Sequence, residues 1–144
     1  MKRASVAVAV VMTAAVTLTA CGGSNAYCDT VKGGEKTLNT FGQTRTDKAY
    51  QGYADLLSKI AKVAPTGVKS DWTTLSAKTD GVLKAQSAVG FKLEDMTDTK
   101  KVAATLKAAD LKMLNGAYTA FNGTTKERAA VVKNVKQECK ITLK

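Results

Sequence analysis

Few side chains in this sequence could do chemistry. Its 144 residues hold three cysteines, Cys21, Cys28 and Cys139, and no histidine. The commonest general base is therefore missing. Ser-His-Asp and Cys-His nucleophiles are excluded, and histidine-based zinc sites with them. No Walker loop or GxGxxG fingerprint occurs. Glu94, Asp95 and Asp98 cluster in "EDMTD". Their spacing is not that of an EF-hand loop. They read better as charge that complements the start of the next helix, with Lys100 and Lys101 beside them, than as a weak cation site. Tyr50, Tyr53, Trp72, Tyr118 and Phe121 are candidates to line a ligand pocket, although aromatics at helical spacing more often build a core. No catalytic residue, metal site or cofactor is expected.

Cys21 has the most specific setting. The chain opens "MKRASVAVAVVMTAAVTLTACGGS": basic Lys2 and Arg3, an apolar run from Ala4 to Val16, then small residues from Thr17 to Ala20. That is the layout of a secretory signal. The run is shorter than the roughly 20 apolar residues a membrane span needs. Leu18, Thr19, Ala20 and Cys21 resemble a bacterial lipobox. Small side chains let a signal peptidase close around the Ala20–Cys21 bond, and the Cys21 thiol accepts a diacylglyceryl group. The expectation is a lipoprotein signal peptide over 1–20, a lipidated Cys and tether over 21–26, and a single helical domain over 27–144. Two or more acyl chains anchor a protein stably without spanning the bilayer. The expected location is the extracytoplasmic face of the cell membrane.

An exported compartment permits oxidation. With Cys21 lipidated, Cys28 and Cys139 allow one pairing, and a Cys28–Cys139 disulfide is expected; the alternative is two free thiols. Removing Lys2 and Arg3 with the leader leaves 20 basic against 12 acidic residues, a net charge of +8. Of the 22 basic residues in the whole chain, 19 are lysines. Lysine without arginine suggests a solvated surface more than bidentate phosphate recognition. Lys59, Lys62, Lys69, Lys78 and Lys84 fall in the middle of the chain, and Lys107, Lys112, Lys133, Lys136 and Lys140 near its end. Such a dispersed field suits anionic lipid headgroups or wall polymers, or merely solubility. Nucleic acid is not an expected partner outside the membrane.

The elements that must position these groups read as helices. Tyr27, Val31, Gly34, Leu38 and Phe41 recur three or four residues apart, one face of a helix. Gly34 on that face suits a close helix approach or a kink. "GQTRTD" breaks the pattern, with Thr46 or Asp47 as the next cap. Ala49, Tyr53, Leu56, Ile60 and Val63, widened by Tyr50 and Leu57, make a second stripe that ends before Pro65. Val68, Trp72, Leu75, Val82 and Leu83 make a third, which Gly90 stops. Phe91, Leu93 and Met96 sit in a connecting loop expected to fold over the core. Asp98 should cap a long fourth helix carrying Val102, Leu106, Ala109, Met113, Ala117, Tyr118 and Phe121, with Asn122-Gly123 as its stop. Thr124 and Glu127 have capping-box spacing for a fifth, which points Val131, Val132 and Val135 inward and ends at Cys139. The tail "KITLK" alternates and should lie extended on the bundle. The fold class is all-α, a bundle of four to five helices with first and last joined by a disulfide.

Two further stretches, "APTGVKSDWTTL" from Ala64 and "VVKNVKQECKITL" from Val131, together with Cys28 soon after the lipobox, resemble small actinobacterial helical lipoproteins of uncharacterised function. The Gly usual after the last Cys in that family is Lys140 here. The resemblance implies a secreted helical body and carries over no catalytic residue. The expected function is a membrane-anchored, non-enzymatic binding or interaction module at the cell envelope, its protein partner unspecified. The alternative is a carrier or sensor of a small apolar ligand held between helices.

Overall fold

The computed structural model describes residues 23–144. The expected signal peptide over 1–20, the expected cleavage at Ala20–Cys21 and the expected lipidation of Cys21 lie outside the described residues. Six α-helices and one 3-10 turn follow in order: α1 (Gly23–Thr40), α2 (Asp47–Val63), α3 (Thr66–Val89), the turn Leu93–Thr97, α4 (Thr99–Thr105), α5 (Ala108–Asn122) and α6 (Thr125–Cys139). No strand occurs among the described residues. Five helices have 15 or more residues, so the bundle is the one expected. One boundary is corrected: α1 starts at Gly23, so most of the stretch assigned to a tether is helical.

α1, α2, α3 and α6 surround the main core, built from Tyr27, Val31, Leu57, Ile60, Trp72, Leu75, Val82, Val131 and Val135. α3 packs against α2, α5 and α6. Packing on several sides widens the buried face of α3, and Ser76, Thr79 and Gln86 are buried on it beside its apolar stripe, while Ser70, Thr73, Ala77, Lys84 and Ala88 stay exposed. The Thr79 hydroxyl donates to the Leu75 carbonyl, which satisfies it within the helix. Gly34 is a point of close approach between α1 and α2. A Cβ placed there would lie 2.5 Å from both terminal methyls of Leu56, whereas one at Gly33 would meet nothing within 4 Å. Of the two alternatives for Gly34, close approach holds.

The caps follow local chemistry. Thr46 Oγ1 accepts from the Ala49 N–H at 3.2 Å and starts α2. Pro65 precedes α3, and Gly90 ends it in the left-handed conformation, φ +63°. The tail after α6 is irregular, with Leu143 buried, Thr142 exposed, and the Lys144 N–H bonded to Asn39 Oδ1 of α1. Lys140 stands in the left-handed cap position of α6 at φ +58°, a conformation that favours glycine.

The region after Gly90 departs most from expectation. The single long fourth helix is two helices, broken at Leu106 and Lys107, both in extended backbone. Leu106 is buried with Ala85, Phe91 and Leu114 in a second, smaller core. Asp110 Oδ2 accepts the Lys107 N–H and starts α5 anew. The break shifts the helical phase. Leu114 is buried in place of Met113, which is 47% exposed, and Ala109 faces solvent. The Thr124–Glu127 capping box is also corrected: Thr124 makes no side-chain cap, and its hydroxyl donates to the Phe121 carbonyl.

Candidate functional site

Two regions concentrate polar and aromatic side chains, one at each end of α1. At its start, Cys28 and Cys139 are joined, their Cα atoms 5.2 Å apart, and tie α1 to α6. The pairing is the one expected. Beside it Trp72 Nε1 donates to the Tyr27 hydroxyl at 3.1 Å, and that hydroxyl donates to Asn134 Oδ1 at 2.9 Å. The Tyr27 and Trp72 rings meet edge to face at 6.5 Å. The Trp72 indole N–H, the Tyr27 hydroxyl and Asn134 Oδ1 each have a partner from another helix, which ties α1, α3 and α6 together. Burial raises the Tyr27 phenol above its usual pKa, with a smaller opposing effect from the Trp72 hydrogen bond.

At the other end of α1 a cleft of about 590 Å³ opens. Its walls come from the turn after α1 (Phe41, Gly42, Arg45), the first turn of α2 (Tyr50), the 3-10 turn (Leu93, Met96, Thr97), the end of α5 (Tyr118, Phe121, Asn122) and Arg128 of α6. That volume lies within the range of small-molecule sites. Tyr50, Tyr118 and Phe121, three of the five residues picked from sequence, line it. Tyr53 and Trp72 do not. They are 8% and 1% exposed and border a smaller hollow of about 220 Å³ among α1, α2, α3, α6 and the C-terminal tail. The correction has a simple cause. Tyr53 lies one helical turn beyond Tyr50, toward the middle of the bundle, and Trp72 belongs to the stapled end.

Phe41, Arg45, Leu93, Met96 and Arg128 were not singled out from the sequence as site residues. Phe41 is central: its ring stacks on Tyr53 at 3.7 Å and meets Tyr50 at 4.9 Å and Phe121 at 5.7 Å. It separates the cleft from the smaller hollow and lines both. A break straight after an aromatic on the apolar face is the sequence signal for such a wall. The 3-10 turn is held over α2 by a reciprocal pair. The Leu93 N–H donates to Asp47 Oδ1 at 2.9 Å, and the Asp47 N–H donates to Glu94 Oε2 at 3.0 Å. The Asp47 hydrogen bond is the main cause of the lowered Glu94 pKa.

The electrostatics of the cleft are unusual for this chain. Arg45 and Arg128 are the only arginines among the described residues, and both line it. The Arg128 guanidinium lies 4.5 Å from the Phe121 ring centroid, and one of its N–H groups donates to the Phe121 carbonyl at 3.0 Å. Ring and carbonyl together fix its direction. The Tyr118 phenol is pushed up to about 12, chiefly by burial. Burial also raises Tyr50, and the positive charges of Arg128 and Arg45 act against that rise. The Tyr118 hydroxyl accepts from Gln86 Nε2 at 3.0 Å, while Gln86 Oε1 is buried without a partner.

The carboxylates of the 90–98 segment have structural tasks. Glu94 holds Asp47, Asp95 pairs with Lys101 at 2.6 Å, and Asp98 accepts from the N–H groups of Lys100 and Lys101 to cap α4. Among the described residues no group of three or more His, Cys, Asp or Glu could hold a metal, and no helix is long and apolar enough to cross a membrane. Comparison with protein families, curated proteins and solved structures finds no match for the chain.

Proposed function

We propose that this chain is a lipid-anchored, extracytoplasmic binding module of the cell envelope, non-enzymatic, that holds a small ligand in the Phe41–Tyr50–Tyr118–Phe121 cleft. The observation that carries the reading is the cleft itself: about 590 Å³ walled by four aromatic rings, against a bundle whose opposite end is tightly bonded. The lipobox at Leu18–Cys21 supports the anchor, and the Cys28–Cys139 bond accords with an oxidising compartment. Large aromatic surfaces with a few convergent polar groups are what small-molecule sites commonly offer. The resemblance to small actinobacterial lipoproteins is part of the same proposal.

Native mass spectrometry of the protein extracted from its own membrane tests it. The expected spectrum carries acyl mass on Cys21 and a bound small molecule that Tyr50→Ala loses. A chain that retains residues 1–20, or one on which Tyr50→Ala changes no adduct, contradicts the reading. A second reading has its own support. The ten lysines named above are all exposed, and among the described residues only Lys101 pairs with a carboxylate. Attraction of anionic lipid headgroups or wall polymers would then orient the domain, about 1 kcal/mol per lysine near the surface. It predicts vesicle binding that weakens with salt.

A further inference from the structure

We propose that the cleft selects a small organic anion: an apolar ring or chain that bears one carboxylate or phosphate, with the head held by Arg45 and Arg128. The inference rests on the cleft being a ligand site and adds the chemistry of the ligand. Three observations converge on it. Lysines outnumber arginines 19 to 3 in this sequence, yet the only two arginines among the described residues both line one cleft. Elsewhere the surface charge is lysine, the more strongly hydrated cation; guanidinium is the group that binds carboxylate and phosphate through paired N–H donors.

Neither arginine has a carboxylate within 4 Å among the described residues. The acids on the adjoining wall are engaged elsewhere: Asp47 by the Leu93 N–H, Glu94 by the Asp47 N–H, Asp95 by Lys101. The cleft therefore holds two guanidinium groups that form no ion pair with a carboxylate, beside apolar rings. Arg128 spends one N–H on the Phe121 carbonyl and lies over the Phe121 ring, which positions it on the Phe121 side of the cleft, half-buried. Arg45 is exposed at the rim. A ligand whose apolar part sits against Phe41, Tyr50 and Phe121 brings its anionic head between the two arginines. A purely apolar ligand would give the remaining guanidinium N–H donors of the cleft no partner.

The test compares 2-naphthoate and 2-naphthyl phosphate with 2-naphthamide, the neutral isostere of the carboxylate. Binding to the full chain in detergent micelles is measured by titration calorimetry, with the heat of empty micelles subtracted. Both anions are expected to bind at least about tenfold tighter than the amide, the factor one charge-assisted hydrogen bond supplies. Arg45→Gln should remove most of that advantage and leave the amide unchanged. Arg128→Lys, which keeps charge but loses the planar fork, should weaken the anions also. If Arg128→Lys fails to fold, the exposed Arg45→Gln still decides. Equal binding of naphthoate and naphthamide overturns the anion selectivity and leaves the cleft as an apolar ligand site. Anion binding unmoved by both arginine variants places the anion on the lysine surface and overturns the inference. No binding of any probe overturns the cleft as a site for such ligands.

Discussion

At the start of α1, Tyr27, Trp72 and Asn134 satisfy one another in a packed core beside Cys28–Cys139. At its end, Phe41, Tyr50, Tyr118 and Phe121 surround an open cleft, and Gln86 Oε1 behind Tyr118 is left without a partner. Both ends use the same residue types, aromatic rings with a few polar groups. What differs is how many helices converge. At the stapled end α1, α3 and α6 all supply a polar partner. At the cleft end the walls are mostly turns and helix termini, which cannot all approach one another. Aromatic content therefore does not separate core from site in this chain; the position of a ring along its helix does.

The largest effect that would sharpen the comparison is loss of the staple. The disulfide closes a sequence separation of 111 residues. Chain-entropy arguments put such a closure at roughly 4–5 kcal/mol. Reduction, or Cys28→Ser with Cys139→Ser, should lower stability in urea by about that amount while ligand affinity per folded molecule stays the same. A parallel collapse of affinity would show that the two ends are not separable.

Trp72→Ala comes next, an expected cost of about 3–5 kcal/mol for a large core truncation. It also leaves the Tyr27 hydroxyl without its donor. Arg45→Gln, at the exposed rim, should change stability by less than about 0.5 kcal/mol. Similar losses for both would break the distinction between a structural and a binding end.

The glycine pair of α1 makes a smaller contrast. Gly33→Ala should stabilise by about 1 kcal/mol, because it meets nothing and gains helix propensity. Gly34→Ala gains the same propensity but must displace Leu56, an overpacking cost of about 1–3 kcal/mol. Its expected net effect is neutral to destabilising. Equal effects at 33 and 34 in thermal melts would contradict the close α1–α2 approach.

The smallest effect concerns pH. The phenol of Tyr118 holds its proton up to about 12 in the folded chain against a usual value near 10. Between those values the folded state binds more proton than the unfolded one. This contribution is therefore fully present below pH 10 and is lost as pH rises toward 12. Tyr118→Phe should shallow the alkaline decline in stability and remove the last tyrosinate absorbance step. Loss of a step near 10, with the last step kept, would place Tyr118 in open solvent.

Much of the fold was legible because its signals are local. Thr46, Gly90 and the stripes of α1, α2 and α3 each act within one or two turns, and Cys28 and Cys139, the only cysteines among the described residues, leave one pairing. The break at Leu106–Lys107 was not legible, because an extended Leu106 is favoured by burial against Phe91 and Leu114, a tertiary effect. Asp110, three residues on, was the one local hint. The cleft was half legible. Tyr50, Tyr118 and Phe121 carry the aromatic signal, but Tyr53 and Trp72 carry it equally and are core. Lysine-rich composition hid the arginines, since a count does not show that Arg45 and Arg128, 83 positions apart in sequence, face one space.

The most direct test of a binding end opposed to a structural end is a nuclear magnetic resonance titration of the labelled full chain with 2-naphthoate. Trp72 is the sole tryptophan, so its indole N–H reports the stapled end in one resolved signal. The account predicts shifts at Phe41, Arg45, Tyr50, Tyr118, Phe121 and Arg128, with the Trp72 indole signal unmoved. Shifts centred on Trp72, Tyr27 and Asn134, or scattered over the surface lysines, would contradict it.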